Sequence, residues 1–68
     1  MKNTYTYDEI RIDYCQIGDC AVLLVVDFAA GGIERRVMTP SPVVAMTIDS
    51  YNHTRIETEM SIIETRNF

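Results

Sequence analysis

Few residues of this chain have the chemistry to act on another molecule: two cysteines, Cys15 and Cys20, one histidine, His53, and ten carboxylates. A zinc site takes about four nitrogen or sulfur ligands, and two thiols with one imidazole fall short, so no metal and no cofactor is expected. If Gln16 to Asp19 form a loop, the two cysteines stand opposite each other across a strand pair, close enough for a bridge. In a reducing compartment they are expected to stay free thiols that pack as small apolar groups. His53 sits in a stretch with loop composition and has no Gly-x-Ser-x-Gly or comparable nucleophile signature beside it. A solvated turn histidine is the expectation, and Asn52-His53-Thr54 reads as a chance glycosylation triplet.

Paired carboxylates can hydrolyse glycosides or bind Mg²⁺, but both tasks need a concave pocket, and 68 residues leave little interior for one. No catalytic residue is assigned, and the chain is read as a non-enzyme. Glu57 and Glu59, two apart on a strand, would stand roughly 6.5 to 7 Å from each other, comparable to successive phosphates of one nucleic-acid strand. Alternating Glu and Thr on a wetted sheet face accounts for the same pattern. Tyr5, Tyr7 and Tyr14 near Lys2 and Arg11 resemble a base-stacking platform, yet residues 1–27 carry five acids against two bases. That field repels nucleic acid, and tyrosines with an apolar body and a wet tip suit a protein contact instead. Arg35-Arg36 sends its side chains to opposite faces of a strand, and Gly31-Gly32 lacks the Lys-Ser/Thr of a phosphate loop.

The composition agrees. Six basic against ten acidic residues give a net charge of −4 and a pI near 4.6, which offers a phosphate backbone no general attraction. The longest apolar run, Cys20 to Val26, is seven residues. A membrane-spanning helix needs about 20, and Met1-Lys2-Asn3 opens no signal region. No direct nucleic-acid contact, no membrane and a cytoplasmic location are the expectations.

The elements that must position these residues read as strands. Val, Ile and Thr number 21 against 13 for Ala, Leu, Glu, Lys and Gln, so β-branched side chains dominate. From Glu9 to Gln16, Ile10, Ile12 and Tyr14 point one way and Arg11, Asp13 and Cys15 the other. Thr4 to Tyr7 alternates too, but Asp8-Glu9 shifts the phase, which marks a bulge or a separate edge piece. Cys20 to Ala30, apolar on both faces until Asp27, reads as a central strand. A Gly31-Gly32 turn then returns Ile33 to Thr39, with Phe28 opposite Arg35, Asp27 opposite Arg36 and Val26 opposite Val37. Thr39-Pro40-Ser41-Pro42 forces a rigid connection, with Ser41-Pro42 as an alternative helix start. Val43 to Ile48 makes a fourth strand, and Asp49 to His53 a loop. Arg55 to Ile62 alternates without a break, which reads residues 54–66 as a strand, although Ile56, Met60 and Ile63 also share a helical face and Thr54 with Glu57 spells a capping box.

These strands leave a second greasy face. One side carries Ile10, Ile12, Tyr14, Leu23, Val25 and Met38, and the other Val22, Leu24, Val26, Phe28, Ile33 and Val37. A flat sheet cannot hide both, so the expected fold is a single domain, mainly β, with about five antiparallel strands in a curled sheet or partial barrel. The α+β alternative lays a C-terminal helix over one face. A homodimer contact is the third way to cover it.

The function that follows is that of a small acidic binding protein acting through protein–protein contacts. Tyr5, Tyr7 and Tyr14 serve as anchors, and Asp8, Glu9, Glu57 and Glu59 as a charged rim for a basic partner. In size and charge the chain resembles phage-encoded inhibitors of host proteins, a viral origin resting on that likeness alone. A self-assembling structural subunit is the alternative.

Overall fold

The computed structural model describes residues 2–49 and 53–66, and every regular element among them is a strand. In chain order these are β1 (Asn3–Tyr7), β2 (Glu9–Tyr14), β3 (Val22–Ala29), β4 (Gly32–Met38), β5 (Val43–Ile48), β6 (Thr54–Thr58) and β7 (Ser61–Thr65). The domain is mainly β. Its seven strands, more than the five expected, divide between two open sheets, β1-β7-β6-β5 and β2-β3-β4. One buried cluster joins the sheets: Ala21, Leu23 and Val25 meet Val43, Ile56 and Ile63, each at most 2% exposed.

Two breaks in alternation turn the expected single sheet into two. At Asp8 the chain leaves one sheet for the other, so β1 pairs in parallel with β7 while β2 pairs antiparallel with β3. The phase shift at Asp8-Glu9 is therefore a separate edge strand. After Thr58, the run Arg55 to Ile62 folds back at Glu59-Met60 into the β6-β7 hairpin, which sets Ile56 against Ile63 on the core side. Residues 54–65 are thus two strands and contain no helix. Residues 50–52 of the expected loop lie outside the described residues, along with Asn52 of the glycosylation triplet.

The β3-β4 hairpin forms two residues out of the expected register. Phe28 pairs with Ile33, Leu24 with Val37 and Leu23 with Met38, and the turn falls on Ala30-Gly31. Gly32 is the first residue of β4, at φ +130°, a conformation that side chains other than hydrogen rarely adopt. This register pairs apolar with apolar in three rows, whereas the expected one set Phe28 against Arg35. It opposes Asp27 to Glu34 instead of Arg36, and the Asp27 charge is met by Arg66 at 3.0 Å. A slip of two residues moves no side chain across the sheet, so the residues of β3 and β4 keep their expected faces.

β2 departs at one point. A bulge between Ile12 and Tyr14 places Tyr14 opposite Val22 on the outer side and leaves Cys15 packed against the core, exchanging the sides that simple alternation assigns them. The β2–β3 connection is no free loop. Ile17 bridges to Val43, Gly18 N donates to Val43 O at 2.8 Å, and Val43 N donates to Asp19 O at 2.9 Å, tying the sheets together.

Candidate functional site

The inner face of β2-β3-β4 supplies Ile10, Ile12, Leu23, Val25 and Met38 to the core. The outer face stays open. Register places Glu9, Val26 and Arg35 in one row across the three strands, Arg11, Leu24 and Val37 in the next, and Phe28 with Ile33 beyond them. Phe28 is 58% exposed, Ile33 56% and Val37 66%, while Val26 is already covered. Between them lies a shallow depression of about 300 Å³ lined by Leu24, Val26, Phe28 and Ile33, with Glu9, Arg11 and Arg35 at its rim. Apolar surface in water costs roughly 25 cal/mol per Å², so covering this face is favourable for any partner of matching shape.

The outer face of the other sheet is polar. Thr4, Thr6 and Thr47 are exposed there. Arg55 lies 3.7 Å from Glu57 and 3.8 Å from Glu64, and the Lys2 ammonium is 2.5 Å from Glu57.

The residues assigned to a partner from sequence do not converge. Tyr5 and Tyr7 share the inner side of β1 with the register partner Ile63, Tyr7 half-buried on the core and Tyr5 exposed. They line a cleft of about 470 Å³ together with Met38 and Met60. Tyr14 lies on the opposite side, its hydroxyl donating to Asp19 at 2.6 Å, and that bond raises the phenol pKa above its ordinary value. Asp8 serves the fold: it accepts the Phe28 amide at 2.7 Å and sits 2.9 Å from Arg66, and both hold its carboxyl below the usual range. Glu57 is likewise held low, chiefly by Lys2. Glu59 is exposed at the β6-β7 turn and so does not continue the Glu57 face. Of the seven, Glu9 borders the depression on the open apolar face, and Tyr14 lies on the same outer side, opposite Val22.

No protein-family model, curated protein or solved structure matches the chain.

The reactive groups are also dispersed. Cys15 and Cys20 are free thiols, the first half-buried with its pKa pushed up by burial and the second exposed. The bulge removes the cross-strand alignment expected of them. The His53 ring lies 3.1 Å from Asp49, whose other carboxylate oxygen accepts the His53 amide at 3.0 Å, so this pair ties the end of β5 to the start of β6. Among the described residues no group of three or more His, Cys, Asp or Glu is placed to hold a metal ion. Arg11, weighed in the sequence only beside the tyrosines, and Arg35, weighed only as half of the Arg35-Arg36 doublet, were assigned to no site. Both flank β3 on the apolar side, and the signal for that was their parity relative to Leu24 and Val26.

Proposed function

We propose that this chain is a non-enzymatic protein-interaction module whose working surface is the outer face of β2-β3-β4. The observation that carries the reading is the exposure of Phe28, Ile33 and Val37 on the one sheet face that also carries Leu24 and Val26. The core does not need these side chains, because the inner face of the same strands already supplies it. Their exposure is a standing cost that a partner removes.

The carboxylates support a basic partner less well. Asp8 and Asp27 share Arg66, and Glu57 is taken up by Lys2. Inhibition of a larger protein fits this reading as occlusion through apolar contact, with charge at the rim setting orientation.

Photo-crosslinking residues at positions 28 and 37, compared with positions 4 and 6 on the polar sheet, test the proposal in the cells that make the protein. Adducts are expected from the first pair. Adducts confined to the second pair would reject the apolar face as the working surface.

A further inference from the structure

The charges on the β2-β3-β4 face have a particular symmetry. Glu9 and Arg35 are both register partners of Val26, one on each side of the central strand. Read across the sheet, that row is acid, apolar, base. Strands about 4.8 Å apart put the two flanking backbones roughly 9.6 Å from each other. Among the described residues neither Glu9 nor Arg35 takes part in an ion pair.

A twofold axis lying in the plane of contact and running along β3 exchanges the left and right flanks of the sheet. It brings the β2 side of one molecule over the β4 side of the other at the same height. An acid–apolar–base row is its own complement under that operation, whereas a row flanked by like charges would repel. Resting on the reading of this face as the working surface, we infer that its partner is a second copy of the same chain, packed face to face about such an axis, with Glu9 of each copy paired to Arg35 of the partner subunit.

The same operation fixes the remaining contacts. Residues of β3 lie on the axis, so Leu24 and Phe28 each meet their own counterpart. Arg11 falls over Val37 of the partner subunit, where its aliphatic stem covers an exposed apolar side chain. Inclining each sheet about 15° from the axis gives the roughly 30° crossing of aligned sheet packing and leaves Glu9 within reach of Arg35 of the partner subunit. Every contact occurs twice, as a closed isologous dimer requires.

Charge reversal tests the pairing. Glu9→Arg and Arg35→Glu chains should each raise the dimer dissociation constant at least about tenfold, since each substitution turns both reciprocal pairs repulsive. Mixing the two variants makes both pairs attractive again, and a heterodimer should form where neither variant alone dimerises. Sedimentation equilibrium reads all three cases against the 7.8 kDa monomer. Both positions are exposed, so circular dichroism should be unchanged. If a reversal disturbs it, Glu9→Gln and Arg35→Gln replace the reversals, each weakening the dimer. A wild-type chain that stays monomeric at about 1 mM, a dimer indifferent to both substitutions, or a mixture that fails to pair each overturns the inference. Crosslinks from positions 28 and 37 to a different protein would then leave the functional reading standing, and their absence would remove that reading as well.

Discussion

The carboxylate of Asp8 accepts the backbone amide of Phe28 at 2.7 Å, where the β1 backbone has already left for the other sheet. The side chain thereby takes over as acceptor for an amide beyond the last β2–β3 register pair, Glu9 with Val26. The other carboxylate oxygen lies 2.9 Å from Arg66, which also reaches Asp27 at 3.0 Å. One acid thus joins β1, β3 and the end of the chain at the point where the fold changes sheets.

That arrangement makes stability fall in acid. The Phe28 amide, then Arg66, depress the folded pKa of Asp8, and Lys2 does the same for Glu57. A carboxylate with a depressed folded pKa contributes its full stabilisation above its unfolded value, about 4, and loses it as pH falls through the folded value. Urea midpoints measured between about pH 5 and pH 3 should therefore drop, and drop less steeply in Asp8→Asn. An Asp8→Asn profile parallel to wild type would remove Asp8 as a source of the acid sensitivity.

The turn position is open to a paired substitution. Gly32 has φ +130° and Gly31 lies outside the left-handed region, while a Cβ at either meets nothing within 4 Å. Backbone strain alone separates them. Gly32→Ala should cost about 1 to 2 kcal/mol, and Gly31→Ala less than about 0.5 kcal/mol, by chemical denaturation. Equal losses at both positions would favour the Gly31-Gly32 turn read from sequence.

The two cysteines should differ in reactivity. Cys15 is half-buried against the core, with its pKa raised by desolvation, whereas Cys20 is exposed. Thiolate fraction and access both govern alkylation. Limited iodoacetamide at about pH 8, followed by peptide mass spectrometry, should label Cys20 first. Labelling of Cys15 at the same rate would mean that the bulge at Ile12/Tyr14 does not hold it inward.

Period-two patterning made the strand content, the central place of β3 and the two apolar faces legible, because each depends on which side a residue points. What it missed depends on partners distant in sequence. Thr4 to Tyr7 shows that an edge strand exists but not that it pairs in parallel with β7. The Asp27–Arg36 match suggested a register that the pairing of Phe28 with Ile33 and Leu24 with Val37 overrides. Glu59-Met60 contains none of the usual turn residues, so no Gly, Pro, Asn or Asp marks the division of β6 from β7. Of the assigned site residues, only Glu9 and Tyr14 lie on the open side of β2-β3-β4, since Asp8 and Glu57 pair with Arg66 and Lys2, which lie far from them in sequence.

The residue that makes the Glu59-Met60 turn is Thr58. Its side chain is fully buried, and its hydroxyl accepts from Ser41 Oγ at 2.8 Å and from Ser61 N at 2.9 Å, with Ser61 Oγ at 2.9 Å, Ser61 O at 3.1 Å and Met60 N at 3.3 Å also in hydrogen-bond range. A hydroxyl has one proton and two lone pairs, so these five neighbours more than fill its capacity. It fastens the Pro40-Ser41-Pro42 connection to β6 and replaces the Gly or Asn that such a turn usually takes. Thr58→Val keeps the shape and strands these half-buried partners, at a cost of about 1 to 3 kcal/mol. A core this small supplies only roughly 3 to 5 kcal/mol, so such a loss removes a large fraction of the stability and lowers the urea midpoint accordingly. Thr58→Ser keeps the hydroxyl and loses one methyl, at about 0.8 kcal/mol. Urea melts should therefore rank wild type above Ser above Val, and a Val variant more stable than Ser would show that packing, and not the hydroxyl, holds the turn.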